Sequence, residues 1–310
     1  MSQVGQRERI TQNRVAKVFT DDLGYEHLGD WKDRLGNSNI EAELLERNLR
    51  ARGYPDDHIR RVIDLFTTAA SNQAESLFEV NKAVYTMLRY GVTFKPSVSE
   101  NNITIPLIDW ANPERNHFAI AEEVTVVGPN TKRPDIVIYV NGIALGVIEL
   151  KRSTTFVSEG IRQNLDNQRP EFIERFFTTM QIVMAGNDTQ GLYYGTIQTS
   201  EKYFVRWKED KNEDGEVDRT HSYDLDNEVA QFCEKHRLLE IIHDFIIFDG
   251  GVKKICRPNQ YFGVKAAQVR IQDGEGGIIW HTQGSGKSLT MVWLSKWIRE
   301  TYSDARILVI

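Results

Sequence analysis

Two carboxylates and a lysine interrupt an otherwise apolar stretch of this chain. Asp135 precedes Ile136-Val137-Ile138-Tyr139-Val140, and Glu149 and Lys151 flank Leu150 at the end of Ile143-Ala144-Leu145-Gly146-Val147-Ile148. Charges closing buried strands need partners, because an uncompensated charge in apolar surroundings is costly. The residue types suit one chemistry. Two hard carboxylates, Asp135 and Glu149, can hold Mg²⁺, which keeps several waters and grips a phosphate. A bound water then serves as nucleophile and the metal offsets charge on the phosphorus centre. Lys151 would orient that water or stabilise the developing charge. Asn141-Gly142 between the two runs is a hairpin signature, and Glu149 and Lys151, two apart, share a strand face. Register poses a difficulty. A two-residue turn pairs Val140 with Ile143, hence Asp135 with Ile148, and sends Glu149 to the face opposite Asp135. A three-residue loop, Val140-Asn141-Gly142, or a bulge near Asp135 restores a shared face. Without one of these, the three residues are merely the charged ends of a hairpin.

A second constellation lies near the C-terminus. In Gly276-Gly277-Ile278-Ile279-Trp280-His281-Thr282-Gln283-Gly284-Ser285-Gly286-Lys287-Ser288 an apolar strand runs into a glycine loop, and Lys-Ser opens an amphipathic helix. That is the context of a phosphate-binding loop. Gly284, Ser285 and Gly286 bring backbone N–H groups close to phosphate oxygens. Lys287 neutralises the β- and γ-phosphates, and Ser288 offers its hydroxyl to Mg²⁺. His281 replaces the usual first glycine. Gln260, in Arg257-Pro258-Asn259-Gln260-Tyr261, could read an adenine edge or be an ordinary exposed glutamine. A working motor also needs an acidic strand for Mg²⁺ and a second lobe with an arginine finger. Only 22 residues follow Ser288, so the chain is expected to be a fragment of a longer ATPase.

The elements that must carry these residues are readable in outline. Helical patterns cover 7–19 (with Ile10, Val15, Val18 and Phe19 on one face), 40–52, 57–71 and 75–90. Short β-branched runs follow at 102–108, 118–127, 136–140 and 143–150, then a helical stretch at 157–179 and strands at 180–185, 191–198 and 202–207. Residues 208–228 are highly charged and read as an exposed loop. A helix over 227–245 is broken by Asp249-Gly250-Gly251, where a domain boundary is expected. Beyond it come a helix (259–271), a strand (277–281), a helix (286–302) and a strand (306–310). No repeat or low-complexity tract is visible. With 40% hydrophobic and 26% charged residues over 310 positions, the composition is that of a globular protein. No apolar run could span a membrane and no secretory signal opens the chain. Cys233 and Cys256 have neither metal nor disulfide-framework spacing, which points to a cytoplasmic location. A net charge of -6 argues against a stand-alone DNA binder, since duplex affinity comes from Lys and Arg neutralising phosphates.

In combination these features resemble the motor-and-nuclease (R) subunit of Type I restriction-modification enzymes. The Pro134-Asp135 … Glu149-Leu150-Lys151 hairpin matches the PD-(D/E)xK pattern of Mg²⁺-dependent nucleases. Ala185-Gly186-Asn187-Asp188, Tyr194-Gly195-Thr196 and the His281–Ser288 loop follow in the family's order, and Glu8–Val15 with Leu23-Gly24-Tyr25 resembles its opening. The resemblance implies an α/β chain: a mixed-sheet PD-(D/E)xK-type nuclease domain at 1–248, then at 249–310 the start of a RecA-like P-loop lobe of a superfamily 2 helicase-like translocase. It implies Mg²⁺ and ATP as cofactors, double-stranded DNA as substrate, and specificity and methyltransferase subunits as partners. The motor would pull DNA in and the nuclease would cut when translocation stalls. Related nucleases carry a Gln-x-x-x-Tyr element after the lysine. Here Gln163 is followed four residues on by Asn167 and Gln168 by Phe172, so either glutamine could serve the site without the tyrosine. Glu8 could add an upstream carboxylate. Two alternatives remain: a helicase-like ATPase whose N-terminal region only binds DNA or partners, and a P-loop kinase or small-molecule enzyme whose first 250 residues are regulatory.

Overall fold

The computed structural model describes residues 3–209 and 220–308, with side chains from Arg9 onward. The charged stretch expected as a loop at 208–228 lies partly outside this description, and its last residues open a helix. The elements in chain order are α1 (Gln3–Lys17), β1 (Glu26–Asp30), α2 (Ala42–Ala51), α3 (Asp56–Ala70), α4 (Leu77–Tyr90), β2 (Val92–Phe94), β3 (Ile103–Ile105), β4 (Phe118–Glu122), β5 (Ile136–Val140) and β6 (Ile143–Leu150). After these come α5 (Val157–Asn167), β7 (Ile182–Asn187), β8 (Gly191–Gly195), β9 (Val205–Arg206), α6 (Asp224–Phe232), α7 (Lys235–Asp244), β10 (Ile246–Asp249), β11 (Val252–Ile255), α8 (Pro258–Gln272) and α9 (Lys287–Thr301).

Seven strands form one mixed sheet in the order β1-β4-β5-β6-β7-β8-β9. β1 runs parallel to β4 and β6 parallel to β7; the other neighbours are antiparallel. A parallel pair needs a crossover, and α5 supplies it between β6 and β7. Both faces of the central strands are covered, so β5 and β6 are buried throughout. One face packs Ile136, Ile138, Val140, Ile148 and Leu150 into a large core with α1 to α4, α6 and α7. The other sets Val137, Tyr139, Ala144 and Val147 against Val157 and Ile161 of α5 and Phe176 and Phe177 beyond it. This second face carries the site.

The sequence and the structure differ in several places. Ile10 is 63% exposed, and the buried positions before Val15 are the polar Thr11 and Gln12. The helical stretch at 157–179 ends at Asn167, with a short 3₁₀ turn at Glu174–Thr178. The single helix at 227–245 is two, α6 and α7. Asp249-Gly250-Gly251, where a domain boundary is expected, forms the turn of the β10–β11 hairpin, and the apolar core includes Cys256, Tyr261, Val264 and Trp293 beyond it. Residues 277–281 form no strand, nor do 306–308; 309 and 310 lie outside the described residues. An apolar run becomes a strand only beside a partner, and Ile278 and Trp280 are 90% and 89% exposed here.

Candidate active site

The β5–β6 hairpin decides whether Asp135 and Glu149 can cooperate. Its turn is the two-residue kind: Val140 pairs with Ile143, and Asn141 and Gly142 have φ of 52° and 80°, as a type I′ turn requires. Gly142 is also the only size that fits, since a Cβ there would lie 2.6 Å from Glu41 O. The pairing then slips. Tyr139 faces Ala144, but Ile138 faces Gly146, so Leu145 is an extra residue in β6. That bulge flips the rest of the strand. Ile136 consequently pairs with Ile148, which sets the next residues out, Asp135 and Glu149, opposite each other on one face. A bulge resolves the register as expected, but it sits at Leu145 on the second strand, not beside Asp135.

The charged groups are held by specific donors. Asp135 Oδ2 accepts from Leu150 N at 2.6 Å. Glu149, fully buried, accepts at Oε2 from Gln163 Nε2 at 2.6 Å. Lys151 Nζ donates to Gln163 Oε1 at 2.8 Å and lies 3.9 Å from Glu149 Oε2, while its backbone N–H donates to Gly186 O of β7. One amide thus bridges carboxylate and ammonium. α5 can deliver that amide because Gly160 faces the sheet: a Cβ there would meet Ala185 Cβ at 3.1 Å and Glu149 O at 3.4 Å. The structure therefore brings Gln163 to Glu149 and Lys151, on the face that Asp135 shares. It does not bring Gln168, which donates to Asn164 O and accepts from Gln198 N, inside the fold. Glu8 stands on α1 one turn before Gln12, and its side chain lies outside the described residues.

Sequence reasoning missed two supports. Gln12 donates to Asp135 O at 3.2 Å; a polar residue in the buried register of Val15 and Phe19 was the available signal. Gly160, a glycine inside a helix, was the other, since such a residue costs helix stability unless close packing requires it. Among the described residues, no three His, Cys, Asp or Glu side chains converge as a ready-made metal cluster. The pair of carboxylates is nevertheless a suitable donor set for Mg²⁺, which commonly takes one or two carboxylates and completes its shell with water and substrate phosphate.

The glycine loop forms a second cluster at the start of α9. Gly284 and Gly286 have φ of 78° and 83°. Lys287 Nζ folds back on His281 O and Thr282 O, both at 3.2 Å, and Ser288 is exposed. Gln260 is buried and spends its amide inside the protein: Oε1 accepts from Arg257 N, and Nε2 donates to Ser285 O and Gly286 O. In this arrangement it braces the loop, and the adenine-reading expectation finds no support in its bonding. A cavity of about 460 Å³ opens beside Gln260 and Gly286, walled on the other side by Thr199 and Tyr203.

Two family models match parts of this chain. The family model described as Type I restriction enzyme R protein N terminus matches residues 5–202, and that described as SWI2/SNF2 ATPase matches residues 259–310. A Methanocaldococcus jannaschii protein assigned as a type I restriction enzyme endonuclease subunit is 27% identical over 301 residues, covering 88% of this chain and 27% of the relative. A Staphylococcus aureus type I restriction enzyme endonuclease subunit is 23% identical over 293 residues (92% and 29%). The endonuclease subunit of the Haemophilus influenzae type I restriction enzyme HindI is 26% identical over 247 residues (73% and 23%). The chain thus spans about a quarter of the length of these curated relatives. No helix among the described residues is long and apolar enough to cross a membrane.

Proposed function

Because the chain belongs to the family of Type I restriction enzyme R protein N-termini, we propose that Asp135, Glu149 and Lys151 are the centre of a Mg²⁺-dependent DNA endonuclease of PD-(D/E)xK type. The observation that carries this reading is the Gln163 amide bridging Glu149 and Lys151 on the face that Asp135 shares. Asp135 and Glu149 would hold the metal, which when bound supplies an acidified water and polarises the scissile phosphate. Lys151, steadied by Gln163, orients the attacking water or offsets charge on the phosphate oxygens. Glu149 keeps a fixed rotamer through its bond to Gln163, so the carboxylate is preorganised and does not search for its ligand.

In this reading residues 1–248 form the nuclease domain and 249–310 begin the RecA-like lobe of an ATP-driven translocase. The SWI2/SNF2 match and the Gly284–Ser288 loop support that second part. Lys287 would turn from the loop carbonyls to nucleotide phosphates, and Ser288 would meet the accompanying Mg²⁺. Double-stranded DNA is the proposed substrate, delivered by specificity and methyltransferase subunits, which suits a chain whose net charge of -6 gives it little affinity of its own.

The test is plasmid cleavage by the complete subunit assembled with its partners. Asp135→Ala and Lys151→Ala should each abolish cutting, and the double variant should be no worse than either, because the residues act as a unit. Lys151→Ala should spare metal binding, as it removes no ligand. Cutting at the unmodified rate by either variant would leave an ATPase with a non-catalytic N-terminal region as the better reading.

A further inference from the structure

Lys253 of β11 is 2% exposed, and burial pushes its amino group well below the ordinary lysine range. Its hydrogen bonds all go to uncharged oxygens: Gln181 Oε1 at 2.6 Å, Asn81 Oδ1 at 2.8 Å and Met180 O at 3.2 Å. Three acceptors match the three donors of an ammonium. Tyr85 and Phe248 present their rings at 5.8 and 5.4 Å. An apolar side chain would occupy such a place without the desolvation cost, so the socket calls for a reason.

The segment that Lys253 grips supplies one. Gln181 N donates to Leu145 O at 2.8 Å, and Thr179 Oγ1 donates to Ala144 O at 2.7 Å. These are the carbonyls of the bulge that turns Glu149 to the face of Asp135. Asn81 of α4 braces the same segment, donating to Phe177 O, Thr178 O and Met180 O while it accepts from Lys253. A bulge leaves backbone groups out of the strand ladder and needs outside partners to persist; here they come from 179–181.

We propose that Lys253 is a positioning residue for the nuclease centre, locking the segment that holds the Leu145 bulge and thereby the register of Glu149 against Asp135. The proposal rests on the reading of these residues as the nuclease centre. It also assigns a nuclease role to a strand that leads, within a few residues, into Arg257 and the loop-bracing Gln260.

Lys253→Met keeps the length and removes the donors. In the 310-residue chain, hydrogen exchange at Gln181 N should accelerate selectively, relative to Ile120 in the distant β4. In the complete subunit with its partners, cleavage should fall roughly 10- to 100-fold, the range for groups that orient a metal ligand. The Mg²⁺ concentration for half-maximal cutting should rise with it. Thr179→Val, which deletes only the hydroxyl on Ala144 O, should shift the Mg²⁺ dependence in the same direction and serves if Lys253→Met does not fold. Asp135→Ala should abolish cutting and leave Gln181 exchange unchanged; if it cuts normally, the nuclease reading fails while the exchange result still tests the lock. Unchanged Gln181 exchange in Lys253→Met, or an unchanged Mg²⁺ dependence in a variant that folds, overturns the proposal.

Discussion

Gln163 donates through one end of its amide to Glu149 and accepts through the other from Lys151, so a single side chain fixes the rotamers of both charged groups. Gln163→Leu keeps much of the shape and loses both bonds. Cleavage should drop roughly 10- to 100-fold, as for other residues that orient ligands without binding metal. The thermal midpoint should fall as well, because the fully buried Glu149 loses a hydrogen-bond donor, so cleavage is compared below the onset of unfolding. A plasmid assay with Mg²⁺ titration checks this, and unmodified kinetics would remove Gln163 from the centre. Asp135, Glu149 and Lys151 were legible because charges ending apolar strands need an explanation. Gln163 and Gln168 looked equivalent in the sequence. Five residues apart on a helix, they point about 140° away from each other, and only the structure says which one faces β6. The Gln12 contact was less legible still, since it joins residues 123 positions apart.

The elements were legible where one physical rule dominated. The Asn141-Gly142 turn and the apolar β5 and β6 appear where turn chemistry and patterning place them, and α5 starts where expected but stops at Asn167. β1 was missed because Glu-His-Leu-Gly-Asp neither alternates nor is apolar, being a partly exposed edge strand. The β10–β11 hairpin was missed because Asp249-Gly250-Gly251 also reads as a helix breaker at a domain boundary, and the flanking strands are only four residues each. The strand at 277–281 has the right residues but no neighbour to pair with among the described ones. Gly160 shows how tightly these elements are matched. Gly160→Val would push β-branched atoms into Ala185 and the Glu149 backbone. Overpacking of this kind costs about 1–3 kcal/mol, measurable by chemical denaturation. It should also lift Gln163 from Glu149, so cleavage should fall more than stability alone explains. If activity merely tracks the fraction folded, α5 does not set the site by close approach.

At the scale of the whole molecule, the helix that starts at the glycine loop is fastened to α4 and α7. Trp293 of α9 is buried 5.9 Å from Phe245, Arg89 of α4 donates to both oxygens of Glu300 at 2.8 Å, and Lys296 donates to His243 O at the end of α7. Lys296 reports on this docking through its titration. Burial, with the nearby Arg89 charge, lowers its pKa from 10.5 to about 8, a net value that Asp244 and Glu300 keep from falling lower. Asp244 is also hydrogen-bonded to the His243 ring at 2.7 Å. The sign follows from linkage: between pH 8 and 10.5 the unfolded chain holds the proton more tightly than the folded one, so stability rises with pH over that window. Below pH 8 the ammonium is charged in both states, and this group contributes no slope. In Lys296→Met the contribution is absent throughout. Melting both proteins from pH 7 to 10 should therefore show the variant's midpoint, relative to the parent, falling steadily above pH 8. Other titrating groups, Lys253 included, cancel in that difference. Two curves that stay parallel across the window would mean that Lys296 is solvated in solution, and that α9 does not rest on α7 as it does here.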